Sequence, residues 1–146
     1  MTWFRVDDGF GEHAKVDALG ADTPHALAVW LLAGNASARA LTDGAVSVAM
    51  LNRTCSAIAP ATRRRAADAL VRVGLWEERA DGWAFKDWLE HQPSREQVLA
   101  ERAAAKERQR RRRSVSHGVS HAVTSPEPPE NFSVSHTTPT LSLIHI

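Results

Sequence analysis

The sequence predicts a mainly α-helical fold with a small β wing, a winged helix-turn-helix followed by a basic C-terminal helix and a disordered tail. The prediction starts from residues 62–92. The first part of this stretch has apolar residues at helical spacing before Gly74, a residue type that commonly ends helices. The second part has two short apolar segments around Asp81-Gly82, a strong hairpin signal. One helix and one hairpin cannot bury their own apolar faces, so the upstream chain must complete the core.

The N-terminal third predicts an aromatic arm and a first long helix. Residues 3–6 (WFRV) precede an Asp-Asp-Gly turn signal and favour a first strand or an extended arm. Thr23-Pro24 predicts a helix start, with Thr23 as N-cap and Pro24 at the first helical position. Gly34-Asn35 predicts the end of this helix. The side chains expected to face the core are those of Leu27, Trp30, Leu31 and Gly34.

Two further helices and a short strand are predicted before the hairpin. A turn at 41–45 leads into a strand around Val46, Ser47 caps the second helix, and Pro60 lies near the start of the third. Helices are therefore expected near residues 23–35, 47–54 and 61–73, with Val46 paired to the wing strands. Four large aromatic side chains are expected in the core, where the burial of each should stabilise the fold by ~2–3 kcal/mol. They are Trp30, Trp76, Trp83 and Phe85.

Charge and aromatic content divide the chain into three parts. Residues 1–92 hold all five Trp side chains and a net charge of −2, residues 93–113 carry +5, and residues 114–146 carry −2. We expect a winged helix-turn-helix domain at 1–92, a basic helical extension at 93–113 and a disordered linker at 114–146, rich in Ser, Thr, His and Pro. Residues 141–146 (LSLIHI) resemble a translated sequencing adapter, which predicts a truncated gene.

The third helix carries the candidate DNA-reading residues. With Leu70 facing the core and about 100° per residue, Arg64, Arg65, Asp68 and Arg72 point away from the core and Arg63 lies nearer the buried edge. Exposed arginines suit a recognition helix because a guanidinium can bond guanine O6 and N7 together. The alternative is a solvated surface, since Asp68 is four residues from both Arg64 and Arg72.

Two other groups of arginines are candidate phosphate contacts. Arg79 lies beside the wing tip, although Glu77, Glu78 and Asp81 dilute the positive charge there. The extension begins with a capping box, Ser94 with Gln97, and ends in four consecutive arginines. Such a run neutralises phosphates without reading sequence, or else serves as a solubilising helix end whose cations suit the dipole. The four are Arg110, Arg111, Arg112 and Arg113.

The sequence offers no pattern for catalysis, for a cofactor or for a metal. It lacks a Gly-rich phosphate loop, a nucleophile elbow, a Cys/His zinc spacing and an HExxH pattern. The single cysteine, Cys55, excludes an internal disulfide and fits a reducing cytoplasm. No apolar run approaches the ~20 residues of a membrane-spanning helix. We therefore expect a non-enzymatic cytoplasmic protein that has neither metal nor cofactor.

Several segments of the chain resemble segments of a known protein family. They are WFRVDDGFGEHAKV at 3–16, LTDG at 41–44, VGLWEERADGWAFKDWLEHQPSREQV at 73–98 and the Arg-rich helix that follows. Over about residues 2–113 the chain resembles small winged-helix proteins of actinobacterial phages and prophages, similar to the N-terminal domains of phage replisome organisers and DnaD-like replication initiators. The resemblance implies binding of double-stranded DNA in replication initiation, with a replicative helicase or its loader as a further partner.

Two other functions fit the same sequence features. One is a winged-helix transcriptional regulator, which would use the same helix face on an operator. The other is a protein–protein adaptor with no direct DNA contact. Gene neighbourhood beside a helicase or primase would favour replication, and a divergent promoter would favour regulation.

Overall fold

Helices make up most of residues 3–118, the part of the chain that this computed structural model describes. The described residues also contain a three-stranded antiparallel sheet in the order β1-β3-β2. The predicted class, mainly α with a small β sheet, is confirmed at that level. The helices are α1 Ala14–Asp17, α2 Thr23–Ala40, α3 Val48–Thr54, α4 Pro60–Arg72, α5 Trp88–His91 and α6 Arg95–Gly118, and the strands are β1 Ala45–Ser47, β2 Trp76–Arg79 and β3 Gly82–Phe85.

The sheet joins the middle of the chain to the hairpin. Val46 is the register partner of Trp83, so the predicted pairing of Val46 with the hairpin is confirmed for its second strand, β3. Strands β2 and β3 pair from Arg79↔Gly82 onward around a two-residue loop. A Cβ at Gly82 would lie 2.2 Å from the carbonyl oxygen of Val46, so β1 approaches closer than any side chain permits. Gly82 is therefore needed for strand pairing as well as for the turn.

Local signals place both ends of α4. Pro60 opens the helix after Ala59, as predicted. At the other end Gly74 has φ 77° and donates its N–H to the carbonyl of Val71 at 3.0 Å. Leu75 donates to the carbonyl of Leu70 at 3.0 Å, which completes a Schellman motif. The predicted stop at Gly74 is confirmed.

Helix α2 is longer than predicted and begins differently. It runs to Ala40 and ends at Leu41, which has φ 55°, so the predicted end at Gly34-Asn35 is wrong. Gly34 instead lies inside the helix, where a Cβ would come within 2.4 Å of the Phe4 ring. The predicted N-cap is also wrong, because the Thr23 hydroxyl donates to the carbonyl of Gly20 at 2.7 Å and Asp22 occupies the cap position.

The buried face of α2 is lined mostly by small residues. Leu31 is 46% exposed and Trp30 is only half-buried, so the predicted apolar stripe is wrong at Leu31 and partial at Trp30. Small side chains let α3 and α4 pack closely against this helix. The residues that face the core are Ala26, Val29, Ala33, Gly34, Ala36, Ser37 and Ala38.

Aromatic rings fill the space between α2 and the sheet. Trp76, Trp83 and Phe85 are 1%, 5% and 7% exposed, which confirms their predicted burial. Phe4 from the N-terminal arm stacks on Trp88 with ring centroids 5.7 Å apart. Residues 3–8 form no strand, so of the two predicted alternatives the arm is correct and the strand is wrong.

The buried amide of Gln92 holds that arm in place. Its Oε1 accepts from the backbone N–H of Arg5 at 3.1 Å, and its Nε2 donates to the carbonyl of Arg5 at 2.6 Å. Gln92 therefore satisfies both backbone groups of one arm residue, as a neighbouring strand would. This contact fixes Phe4 against the core.

Helix α6 begins with the predicted capping box. Ser94 N–H donates to Gln97 Oε1 at 2.8 Å, and Gln97 N–H donates to Ser94 Oγ at 3.2 Å. The N–H of Arg95 also donates to the carboxylate of Asp43 at 2.7 Å. The helix continues to Gly118, beyond the predicted end at Arg113.

The chain divides into two units, Met1–Arg108 and Gln109–Ile146. The first unit therefore includes the start of α6, whose Val98 is 7% exposed. The predicted linker beyond residue 118 and the adapter-like end at 141–146 lie outside the described residues.

Candidate nucleic-acid interface

The exposed face of α4 lies where the helical spacing predicts it. The side chains of Arg64, Arg65 and Arg72 are 65%, 72% and 57% exposed, whereas Leu70 on the opposite side is fully buried. Ala66 and Ala69 are buried as predicted, and Ala67 adds to the same packed face. Helix α4 thus turns its small residues to the core and its guanidinium groups to solvent.

Each of these arginines has an acidic partner. Arg64 pairs with Asp68 at 3.1 Å, one turn along the helix, as the ion-pair alternative predicts. Arg65 and Arg72 instead pair with Asp22, at 2.7 and 3.5 Å. The predicted pair between Asp68 and Arg72 is wrong, because Asp22 lies against this side of α4. These three arginines and two aspartates together keep one net positive charge.

Asp22 is the residue of this surface that the sequence does not identify. It is 40 or more positions from its partners, and no local spacing connects it to them. Its side chain is only 16% exposed, far less than those of the two arginines. The short 3₁₀ turn Gly20–Asp22 before α2 brings it there. Its place at the N-terminus of α2 also suits a negative charge.

Arg64 also connects α4 to the sheet. Its guanidinium carbon lies 5.8 Å from the centroid of the Trp83 ring on β3, within cation–π range. The side chain therefore covers the ring of a β3 tryptophan while remaining accessible. The exposed face of α4 and β3 are thus neighbours on one surface.

Arg63 bonds backbone carbonyls, unlike the three exposed arginines, which pair with aspartates. Its Nη1 donates to the carbonyls of Asn52 and Cys55, at 3.2 and 3.0 Å. These carbonyls end α3 and begin the turn to α4, so Arg63 fixes the geometry between the two helices. Its predicted place nearer the buried edge is confirmed, and burial raises the pKa of the adjacent Cys55 thiol, partly offset by the Arg63 charge.

Arg79 sits in an acidic surrounding at the end of β2. It pairs with Glu77 on the same strand. Glu78 and Asp81 are both exposed close by, so the hairpin as a whole carries more negative than positive charge. Any phosphate contact by this hairpin would therefore have to come from Arg79, against a local excess of negative charge.

The four consecutive arginines lie on the exposed surface of α6, in the second unit. The carbonyl of Arg111 accepts from the Ser114 hydroxyl at 2.8 Å, and that of Arg113 accepts from the Ser116 hydroxyl at 3.0 Å. Both hydroxyls thus bond carbonyls in the preceding turn of the same helix. Four successive residues on a helix point to all sides of its axis, so these arginines surround the helix with positive charge and do not form a single face.

Within residues 3–118, His, Cys, Asp and Glu side chains form no group of three or more that could hold a metal ion. None of the helices described there combines the length and the apolar composition that spanning a bilayer requires. The resemblance to phage replication proteins remains an expectation. Comparisons with protein-family models, with curated proteins and with solved structures found no match to this chain.

Proposed function

We propose that this chain is a double-stranded DNA-binding protein with a winged helix-turn-helix domain, in which α4 is the recognition helix and β2–β3 the wing. The observation that carries the proposal is the exposed face of α4 with Arg64, Arg65 and Arg72. At such a position the guanidinium groups can donate hydrogen bonds to base edges and to phosphates in a major groove.

The element order supports this assignment. A long helix, a short strand, two helices joined by a five-residue turn, and a hairpin paired to that strand follow one another from α2 to β3. Arg63 holds the turn between α3 and α4, which keeps the second helix at a set angle. A recognition helix needs this fixed presentation because base contacts require a defined register.

The ion pairs on α4 are compatible with DNA contact. The pair between Arg64 and Asp68 joins two exposed side chains. Such pairs contribute only about 0–1 kcal/mol, so a phosphate can replace this carboxylate at low cost. Asp22 and Asp68 would then limit non-specific binding, since they lower the positive charge of the face in the free protein. Contacts from α4 in this proposal are selective and modest in number.

Within the DNA-binding class, replication initiation or replisome organisation is the role we favour, with a replicative helicase or its loader as partner. The basic run on α6 supports it, because a cationic helix adds affinity for any duplex and an organiser must remain on DNA while partners assemble. A transcriptional regulator would use the same α4 face. An adaptor without DNA contact would leave the exposed arginines with only their carboxylate partners.

A salt-dependent binding titration tests the proposal. The full chain is titrated with a labelled random duplex and with fragments of its source genome, from about 50 to 300 mM salt. DNA binding predicts a linear fall of log K with log salt, with a slope steeper than about −3, and a genomic fragment that binds well above random DNA. Absence of saturable binding at about 50 mM salt would favour the adaptor.

A further inference from the structure

A cavity of about 530 Å³ lies between the N-terminal arm and the aromatic core of the first unit. The arm forms one wall, and the other comes from α2, the end of β3 and α5. Its volume falls within the ~300–1,000 Å³ of small-molecule sites. None of the arginines on the exposed face of α4 lines it.

The inner surface of the cavity is aromatic. Phe4, Phe10 and Trp30 line it and are all half-buried, so part of each ring remains open. Phe10 and Trp30 are stacked with centroids 4.3 Å apart and ring planes 16° from parallel. Flat, fixed rings favour a flat apolar ligand group that can stack against them.

The rim is charged and has a small positive excess. Arg5, Lys15 and Lys86 lie at it, against Asp7 and Asp87. These five groups leave one net positive charge. The carboxylate of Asp7 already accepts from the N–H of Gly9 at 2.8 Å. A single negative charge on a ligand is therefore matched here.

A buried donor also lacks an acceptor in this region. Trp88 lines the cavity and is 7% exposed, and its indole N–H has no hydrogen-bond partner within residues 3–118. Buried indole N–H groups usually find a partner. This N–H is itself closed off from solvent, so the aromatic wall and the cationic rim, and not this donor, are what a ligand in the cavity can reach.

We propose that this cavity binds a small planar aromatic monocarboxylate, with the ring system stacked on the aromatic wall and the carboxylate at the cationic rim. A phosphate monoester would carry about −1.5 to −2 charges and exceed the positive charge available. The site is separate from the proposed DNA surface, so this inference does not depend on DNA binding.

Isothermal titration calorimetry on the full chain tests the proposal, with naphthalene carboxylate as the probe. The comparison ligands are the matched naphthalene methanol, which lacks the charge, and adenosine monophosphate, which carries a phosphate. We expect one saturable site for the carboxylate and about tenfold weaker binding of the alcohol, because charge-assisted hydrogen bonds are lost. Adenosine monophosphate should bind more weakly than the carboxylate.

Two lysine variants locate the site. Lys86→Ala removes an exposed rim cation and should weaken carboxylate binding about two- to fivefold. Lys106→Ala removes the same charge from an exposed position on α6 that does not line the cavity, and should leave binding unchanged. The proposal is overturned by no saturable binding at about 1 mM ligand, equal binding of the alcohol, tighter binding of adenosine monophosphate, or equal losses in both variants.

Discussion

Asp22 controls the charge of the proposed DNA surface at the scale of single residues. It holds both Arg65 and Arg72, and its own side chain makes no capping hydrogen bond to α2. Asp22→Asn should therefore release two guanidinium groups, and it also removes a largely buried negative charge that suits the N-terminus of α2. We expect duplex affinity to rise about three- to tenfold and the salt dependence to steepen by roughly one to two units.

Asp17→Asn is the matched control for this charge change. Asp17 is exposed on α1 and makes none of the ion pairs on α4. Fluorescence anisotropy with a labelled duplex measures both variants against the parent chain. Equal affinity of the two variants would mean that Asp22 does not restrain DNA-binding arginines.

Cys55 gives a pH-dependent stability. It is fully buried, and burial raises the pKa of its thiol from the ordinary value of 9.0. The unfolded chain therefore loses this proton first as the pH rises. The stabilisation that comes from keeping this thiol protonated is fully present below pH 9.0. It is lost as the pH rises through the raised pKa of the thiol in the folded state.

The Cys55→Ala variant isolates this effect. It should be less stable at neutral pH because of the cavity it leaves, yet its stability should fall less between pH 8 and pH 10, about one unit either side of an ordinary thiol pKa. Urea unfolding at several pH values measures the difference. Parallel pH profiles for the two proteins would contradict the burial argument.

Single residues were predictable from sequence where their role is local. Ser47 caps α3 by accepting from Met50 N–H at 3.1 Å, and Gly74 ends α4, because both signals act within a few residues. Asp22 was missed because its partners come from tertiary packing. Thr23 has the residue type of an N-cap, but the preceding 3₁₀ turn gives its hydroxyl a different acceptor.

At the scale of elements, β1 and the hairpin depend on one glycine. Gly82 has φ 155° and no room for a Cβ against the Val46 carbonyl. Gly82→Ala must displace β1 or the turn, and should lower the free energy of unfolding by about 2–4 kcal/mol. Thermal unfolding followed by circular dichroism measures the loss.

Gly11→Ala is the natural comparison. A Cβ at Gly11 would meet no atom within 4 Å, and its φ is not in the left-handed region. We expect a change within about 0.5 kcal/mol. If both variants lose the same stability, the loss in Gly82→Ala does not come from the close approach of β1 to the hairpin.

The arginine run on α6 is expected to add affinity without selectivity. Truncation after Gln109 removes it, whereas truncation after Arg113 keeps it and removes the same tail. Loss of the run should flatten the plot of log K against log salt by roughly 2–4 units and weaken random and specific duplexes equally. A selective loss on specific DNA would instead mean that the run reads sequence.

The order β1, α3, α4, β2, β3 was predictable because helix and hairpin signals are strong in residues 41–85, whereas the short helices α1 and α5 were not predicted. The length of α2 was not, since Gly34-Asn35 has the residue types of a helix stop. The Phe4 ring, 30 positions away, occupies the space where a side chain would lie, so glycine is needed inside the helix. A tertiary contact therefore overrides the local signal.

At the scale of the whole chain, the first unit, Met1–Arg108, contains the start of α6, and this basic helix runs on to Gly118. The first unit carries the proposed DNA-reading face of α4 and an aromatic cavity on separate residues. The chain's net charge of +1 conceals this arrangement, because acidic and basic segments cancel in the total. Local charge is the informative quantity in this protein.

The central claim is that the α4 face contacts duplex DNA, and a triple substitution tests it most directly. Arg64→Ala, Arg65→Ala and Arg72→Ala together are compared with Arg5→Ala, Arg39→Ala and Lys86→Ala, which remove three exposed cations elsewhere. The α4 variant should lose at least about tenfold in duplex affinity and roughly 2–3 units of salt slope, whereas the control should bind nearly as the parent does. Parental affinity in the α4 variant, or an equal loss in both, would contradict the account.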